Sequence, residues 1–152
     1  LRNSSRLILT GDEHTIAPGL TLRTCSDRPR AVPIESSGLT ERVGDFLLPE
    51  EFRHEQALLV EENGRRILLS GCAHKGVLNL LHWFKPDVFV GGFHFKQLSP
   101  DDPRLRSWGE AMAKYNTVFY TGHCTGAEQY AVLKELLGDR LNAISTGAVF
   151  EI

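Results

Sequence analysis

The sequence predicts an α/β layered fold, and three observations carry that prediction. From Gln56 onward, short apolar strands alternate with stretches whose apolar residues recur at helical spacing. Asn63-Gly64 sits between two apolar runs, a strong hairpin signal because both residues tolerate positive φ. Three strand-like segments end in a glycine turn followed by histidine. Each intervening helix would return the chain to the start of the next strand, so parallel neighbours are expected.

The first fifty residues are the least periodic. Arg6–Thr10 reads as a strand, Gly11-Asp12-Glu13 as a turn, and Leu20–Thr24, after Pro18-Gly19, as a second strand. The stretch 27–50 holds Pro29, Pro33, Pro49, Gly38 and Gly44 without amphipathic spacing, so it is expected to be a long irregular excursion. Such loops are often binding loops or lids. Ala57–Val60 and Arg66–Ser70 form the predicted hairpin. Val77, Leu78, Leu80, Leu81 and Phe84 then mark a helix closed by Pro86. Val88–Val90 is a short buried strand, Arg104–Tyr115 a helix with Leu105, Trp108, Met112 and Tyr115 on one face, and Thr117–Tyr120 a third strand of this half. A helix over Ala127–Leu137 and a terminal strand near Leu141–Phe150 complete the order.

Composition bounds the function. The chain has 152 residues, 41% hydrophobic and 24% charged, typical of one soluble globular domain with a real core. Seventeen basic against nineteen acidic residues give a net charge of −2, so nucleic-acid binding has no electrostatic support. Apolar runs such as Val77–Phe84 are too short to span a bilayer. The start at Leu1 shows neither an initiator methionine nor a signal-peptide apolar region. Cys25, Cys72 and Cys124 form no C-x-x-C pair, which fits reduced thiols in a cytoplasmic protein.

The histidines are the most informative feature. His74, His94 and His123 each lie just beyond a predicted strand, with glycine within three residues before them. Strand ends followed by glycine turns share one edge of an α/β sheet, where ligands bind. Three imidazoles there suit a shared acid/base site or a divalent metal such as zinc, iron or manganese. The absence of short paired spacings argues against a zinc finger. His14 and His82 read as loop and helix-rim residues, and His54 is a weaker fourth candidate. No phosphate loop, dinucleotide fingerprint or G-x-S-x-G elbow occurs. Cys72 and Cys124 each neighbour a histidine in sequence, so a thiol enzyme is a further class, although packing or a supporting role near the site suits them as well.

Three blocks, Ser70-Gly71-Cys72-Ala73-His74-Lys75-Gly76-Val77-Leu78-Asn79, Gly91-Gly92-Phe93-His94-Phe95 and Thr121-Gly122-His123-Cys124-Thr125-Gly126, resemble the C-terminal half of metallo-β-lactamase-fold hydrolases. The subgroup they resemble most is the dihydropterin ribofuranosylaminobenzene phosphate synthase-like proteins, with Ala73 in place of the usual serine. His54-Glu55-Gln56-Ala57-Leu58 resembles a segment where that subgroup tends to carry an acidic residue. The match spans about the last hundred residues. The resemblance implies an αββα sandwich with the site at one edge of two facing sheets. It further implies His74 and His123 as metal ligands, and His94 as a further ligand or, in preference, a catalytic group that orients substrate. The implied reaction is hydrolysis of an ester or phosphoester small molecule by a metal-activated hydroxide.

The H-x-H-x-D-H signature of such hydrolases occurs nowhere in the sequence. The chain is therefore expected to be the C-terminal half of that domain, a single partial domain over 1–152, completed by an N-terminal half or by a homo-oligomeric partner. The rival expectation is a non-catalytic interaction or dimerisation module derived from the same fold.

Overall fold

The computed structural model describes residues 6–151. Its core is one seven-stranded mixed sheet. The strands, in chain order, are β1 (Glu13–Ala17), β2 (Leu20–Arg23), then β5 (Ala57–Glu62), β6 (Arg65–Ser70), β7 (Val88–Val90), β8 (Val118–Thr121) and β9 (Leu141–Ala143). They lie side by side in that same order. Pairing is antiparallel from β1 to β6 and parallel from β6 to β9. The remaining two, β3 (Thr40–Val43) and β4 (Phe46–Pro49), form a separate two-stranded ribbon.

The change at β6 follows from the connections. The tight Asn63-Gly64 turn, with φ of 50° and 75°, can only reverse the chain. After β6 every connection carries a helix: α1 (Val77–Phe84), α2 (Pro103–Ala113) and α3 (Ala127–Leu137). The strands advance in one direction and α2 packs against both α1 and α3, so the helices form one layer. Leu68, Phe89, Phe119 and Leu141 stand in register across β6–β9 and are fully buried. Leu105, Met112 and Leu133 supply the helix side of that core. Gly109 lets α2 and α3 approach, since a Cβ there would lie 2.5 Å from Leu136 Cδ1. No helix among the described residues is long and apolar enough to cross a membrane.

The opposite sheet face is also apolar. Leu22, Leu58, Val60, Ile67, Val90 and Tyr120 are only half-buried, and Leu69 is 39% exposed. Among the described residues no second large sheet covers it.

Several boundaries differ from the sequence expectation. Arg6–Thr10 is not a strand: Leu7, Ile8 and Leu9 are exposed and pair with no strand, whereas the polar Glu13–Ala17 pairs along β2. Backbone pairing around Pro18-Gly19, not apolar alternation, makes that edge strand. The stretch 27–50 is not wholly irregular, because it contains the β3–β4 hairpin turning at Gly44-Asp45. Its strands expose Phe46, Leu47 and Leu48, so no one-sided burial pattern announces it. The last strand stops at Ala143; Ile144 donates to the Thr121 carbonyl, and the chain then turns at Ser145–Ala148. Helix α2 begins one residue early, capped by the Asp102 carboxylate with Pro103 in its first turn.

Candidate functional site

The parallel strands β6, β7 and β8 end together, and the three histidine-bearing turns leave from their C-terminal ends. Backbone bonds lace these turns to one another. Gly92 N–H donates to the Gly71 carbonyl at 2.8 Å and Gly91 N–H to that of Tyr120 at 3.0 Å. Phe93 N–H donates to Thr125 Oγ1 at 3.0 Å, and Thr125 Oγ1 lies 2.6 Å from Thr121 Oγ1. Each turn holds one non-glycine residue in the left-handed region: Ala73 (φ 55°), His94 (φ 57°) and His123 (φ 52°). Such backbone persists only where its surroundings over-determine it, and it clusters at functional sites.

Glu55 shapes the first turn. Its two carboxylate oxygens accept the backbone N–H groups of His74 and Lys75, both at 2.8 Å. Lys75, 1% exposed, buries its ammonium among the carbonyls of Thr24, Arg53 and Glu55 and the Ser26 hydroxyl, at 2.6, 3.4, 3.0 and 3.0 Å. Burial lowers its pKa, and the neighbouring Glu55 charge opposes that shift. Phe52 stacks on the His74 ring at 4.6 Å between centroids.

The structure brings two of the three predicted histidines into direct contact. The rings of His74 and His94 lie 4.1 Å apart, and the Nδ1 atom of each is buried without a protein partner. Burial pushes the His94 pKa down, the His74 ring pushes it the same way, and Glu55 opposes both. His123 stands in a different group, with Cys72 Sγ 3.9 Å from its Nδ1 and Cys124 beside them. A 3-10 turn over His123–Thr125 sets its direction. His82 is exposed on α1, His14 lies on the edge strand β1, and His54 is exposed with Glu50 Oε1 4.0 Å away.

A cavity of about 280 Å³ opens beside His74 and His94. Part of the 27–50 stretch lines it, through Val32, Pro33, Glu35 and Ser37. Asn79 holds that wall: its Oδ1 accepts from Ala31 and Val32 N–H, and its Nδ2 donates to the Val32 and Lys75 carbonyls. Phe95 and Trp108 stack at 5.1 Å on the far side, and the Arg104 guanidinium lies 5.8 Å over the Trp108 ring. Asp102 and Glu35 pair with that guanidinium. His123 lines a second cavity of about 350 Å³ with Gly122, Tyr130, Ala143 and Ile144.

Sequence reasoning missed the roles of Glu55, Lys75 and Asn79. The available signals were Asn79, a polar residue among the apolar positions of the first predicted helix, and the acidic Glu55 in the segment after His54.

No protein-family model matches the chain, and no curated protein matches it. Among solved structures, the chain resembles Tm1679, a metal-dependent hydrolase of the beta-lactamase superfamily. The match has a TM-score of 0.72 at 19% identity and covers 96% of this chain and 58% of that one. The α/β fold is therefore shared, and this chain spans less than two thirds of the length of the protein it matches.

Proposed function

We propose that the chain is the C-terminal half of a metal-dependent hydrolase of the metallo-β-lactamase superfamily, acting on an ester or phosphoester small molecule. One observation carries this reading: the paired His74 and His94 rings, with both Nδ1 atoms buried and unpartnered, at the C-terminal ends of the parallel strands. A buried ring nitrogen without a partner is costly unless a ligand or proton satisfies it. The donors present fit a divalent metal of the zinc, iron or manganese kind, completed by ligands from outside this chain. Glu55 has both oxygens committed to backbone N–H groups and is not one of them.

In this reading His74 and His123 hold the metal, which supplies Lewis acidity and a nucleophilic water at neutral pH. His94, kept neutral by burial, orients substrate at the cavity mouth. Glu55 and Lys75 fix the turn that carries His74. The stacked Phe95 and Trp108 offer a flat wall, which suits a ring-bearing substrate of the kind handled by the subgroup that the three blocks resemble. The half-exposed apolar sheet face takes the missing N-terminal half, whose H-x-H-x-D-H loop would bring the remaining ligands; a second copy of this chain is the other candidate partner. The reading places the protein in the cytoplasm, where its free thiols stay reduced.

The test is metal analysis of the chain alone and mixed with an N-terminal half that carries H-x-H-x-D-H, followed by turnover of a phosphodiester probe. The mixture is expected to hold metal and to hydrolyse the probe. His74→Ala and His123→Ala should each lose the metal, and His82→Ala should keep it. A mixture that assembles but holds no metal overturns the reading. A metal-free homodimer closed over the apolar face would favour the interaction module instead.

A further inference from the structure

Outside the paired histidines, one cluster combines donors of a different chemistry. Cys72, His123 and Cys124 come from two separate turns, and one ligand atom from each lies within 4.8 Å of the others. Cys72 Sγ is 3.9 Å from His123 Nδ1. In a tetrahedral site with metal–sulfur bonds of about 2.3 Å and metal–nitrogen bonds of about 2.0 Å, neighbouring donors stand about 3.5–3.8 Å apart. The Cys72–His123 separation of 3.9 Å is already close to that spacing.

The surroundings keep the donors together. Gly92 leaves room for the thiol of Cys124, since a Cβ at Gly92 would lie 2.3 Å from its Sγ. The same Sγ lies 3.7 Å from the Cys72 carbonyl, and Lys96 N–H holds the Cys124 carbonyl at 2.9 Å. All three cysteines are free thiols. Cys72 and Cys124 are half-buried and His123 is exposed, so an ion can enter from solvent.

We propose that Cys72, His123 and Cys124 form a thiolate–imidazole site for zinc, with a fourth position open to water or an incoming ligand. Two thiolates and one imidazole favour a borderline-soft ion over magnesium, calcium or manganese. Binding releases two protons, one from each thiol, to the buffer. The inference stands on these three donors whether or not the chain hydrolyses anything. Both readings use His123, so they are told apart by the other ligands: metal-bound sulfur is a signature that a centre held by His74 and His123 alone cannot give.

Cobalt(II) added to the reduced full chain is the probe. The expected result is a near-ultraviolet sulfur-to-cobalt charge-transfer band with intense tetrahedral visible bands, both bleached by zinc. Cys72→Ser and Cys124→Ser should each weaken cobalt binding at least tenfold and cut the charge-transfer band; the doubly substituted chain should lack it. Cys25→Ser and His82→Ala should leave it intact. Circular dichroism establishes that the serine variants fold, and alkylation of the unsubstituted chain before cobalt is added removes the thiolates without a substitution. Absence of the band in the reduced chain overturns the assignment, as does its persistence in the doubly substituted or alkylated protein. Loss of hydrolysis with the band retained would count against the hydrolase reading alone.

Discussion

Asn79→Ala tests how the cavity wall is held. The Asn79 side chain is fully buried and uses both ends of its amide: Oδ1 accepts at 2.7 and 3.0 Å, and Nδ2 donates at 2.9 and 2.6 Å. A net contribution of about 0.5–1.5 kcal/mol per bond would sum to about 2–6 kcal/mol for the four. Ala31 is exposed and Val32 half-buried, so water can recover some of their lost bonds. The Lys75 carbonyl lies deeper and has less access to that rescue. The loss should therefore fall near the lower end, about 2–3 kcal/mol. For a domain of this size that lowers the melting temperature by about 4–12 °C. Urea and thermal unfolding measure the loss, and amide exchange at Ala31 and Val32 should speed up beyond the change in global stability. Asn79→Asp should cost more, because it turns a carboxylate oxygen toward the Val32 and Lys75 carbonyls. If Asn79→Ala unfolds within about 0.5 kcal/mol of the parent, the amide is not what holds the wall, and the reasoning fails.

Two other perturbations probe neighbouring features. Gly92→Ala drives a Cβ to 2.3 Å from Cys124 Sγ and should cost about 1–3 kcal/mol by overpacking while freeing that thiol; thermal melts and the rate of thiol labelling report both, and an unchanged melt would refute the close fit. Arg104 holds the Asp102 carboxyl below the usual carboxylate range, chiefly through its side-chain hydrogen bond. The stabilisation from that depressed pKa is fully present above the ordinary carboxylate value and is lost as pH falls through the lowered one. Asp102→Ala should therefore melt below the parent at neutral pH and converge with it in acid. A gap that stays constant across the acid range would contradict this.

The parts of the fold legible in the sequence are those where burial is one-sided or complete. Helices α1 and α3 and strand β7 have the bounds that their spacing predicts, because Leu81, Leu133 and Phe89 must all reach the same core. The edge strand β1 and the β3–β4 hairpin are held by backbone pairing with most side chains exposed, so no periodicity marks them. The site was legible as positions on an edge but not as contacts. Which imidazoles meet depends on left-handed backbone at Ala73, His94 and His123, and on Glu55, nineteen residues before His74. His123 meets the thiols of Cys72 and Cys124, a contact that spacing alone does not announce.

The turn at Asn63-Gly64 also bears on the order in which the molecule is built. The β5–β6 hairpin pairs near neighbours in the chain, from Glu62 with Arg65 out to Ala57 with Ser70. Such hairpins close in about 1–10 μs. The parallel pairs β6–β7, β7–β8 and β8–β9 must each wait for a helical crossover, and distant pairings of that kind are the slow ones. β6 is thus the early template on which the parallel half is laid, one strand at a time. The edge that carries His74, His94 and His123 exists only once β7 and β8 have both joined β6, so the hairpin and much of its apolar surface can be in place before there is any site at all.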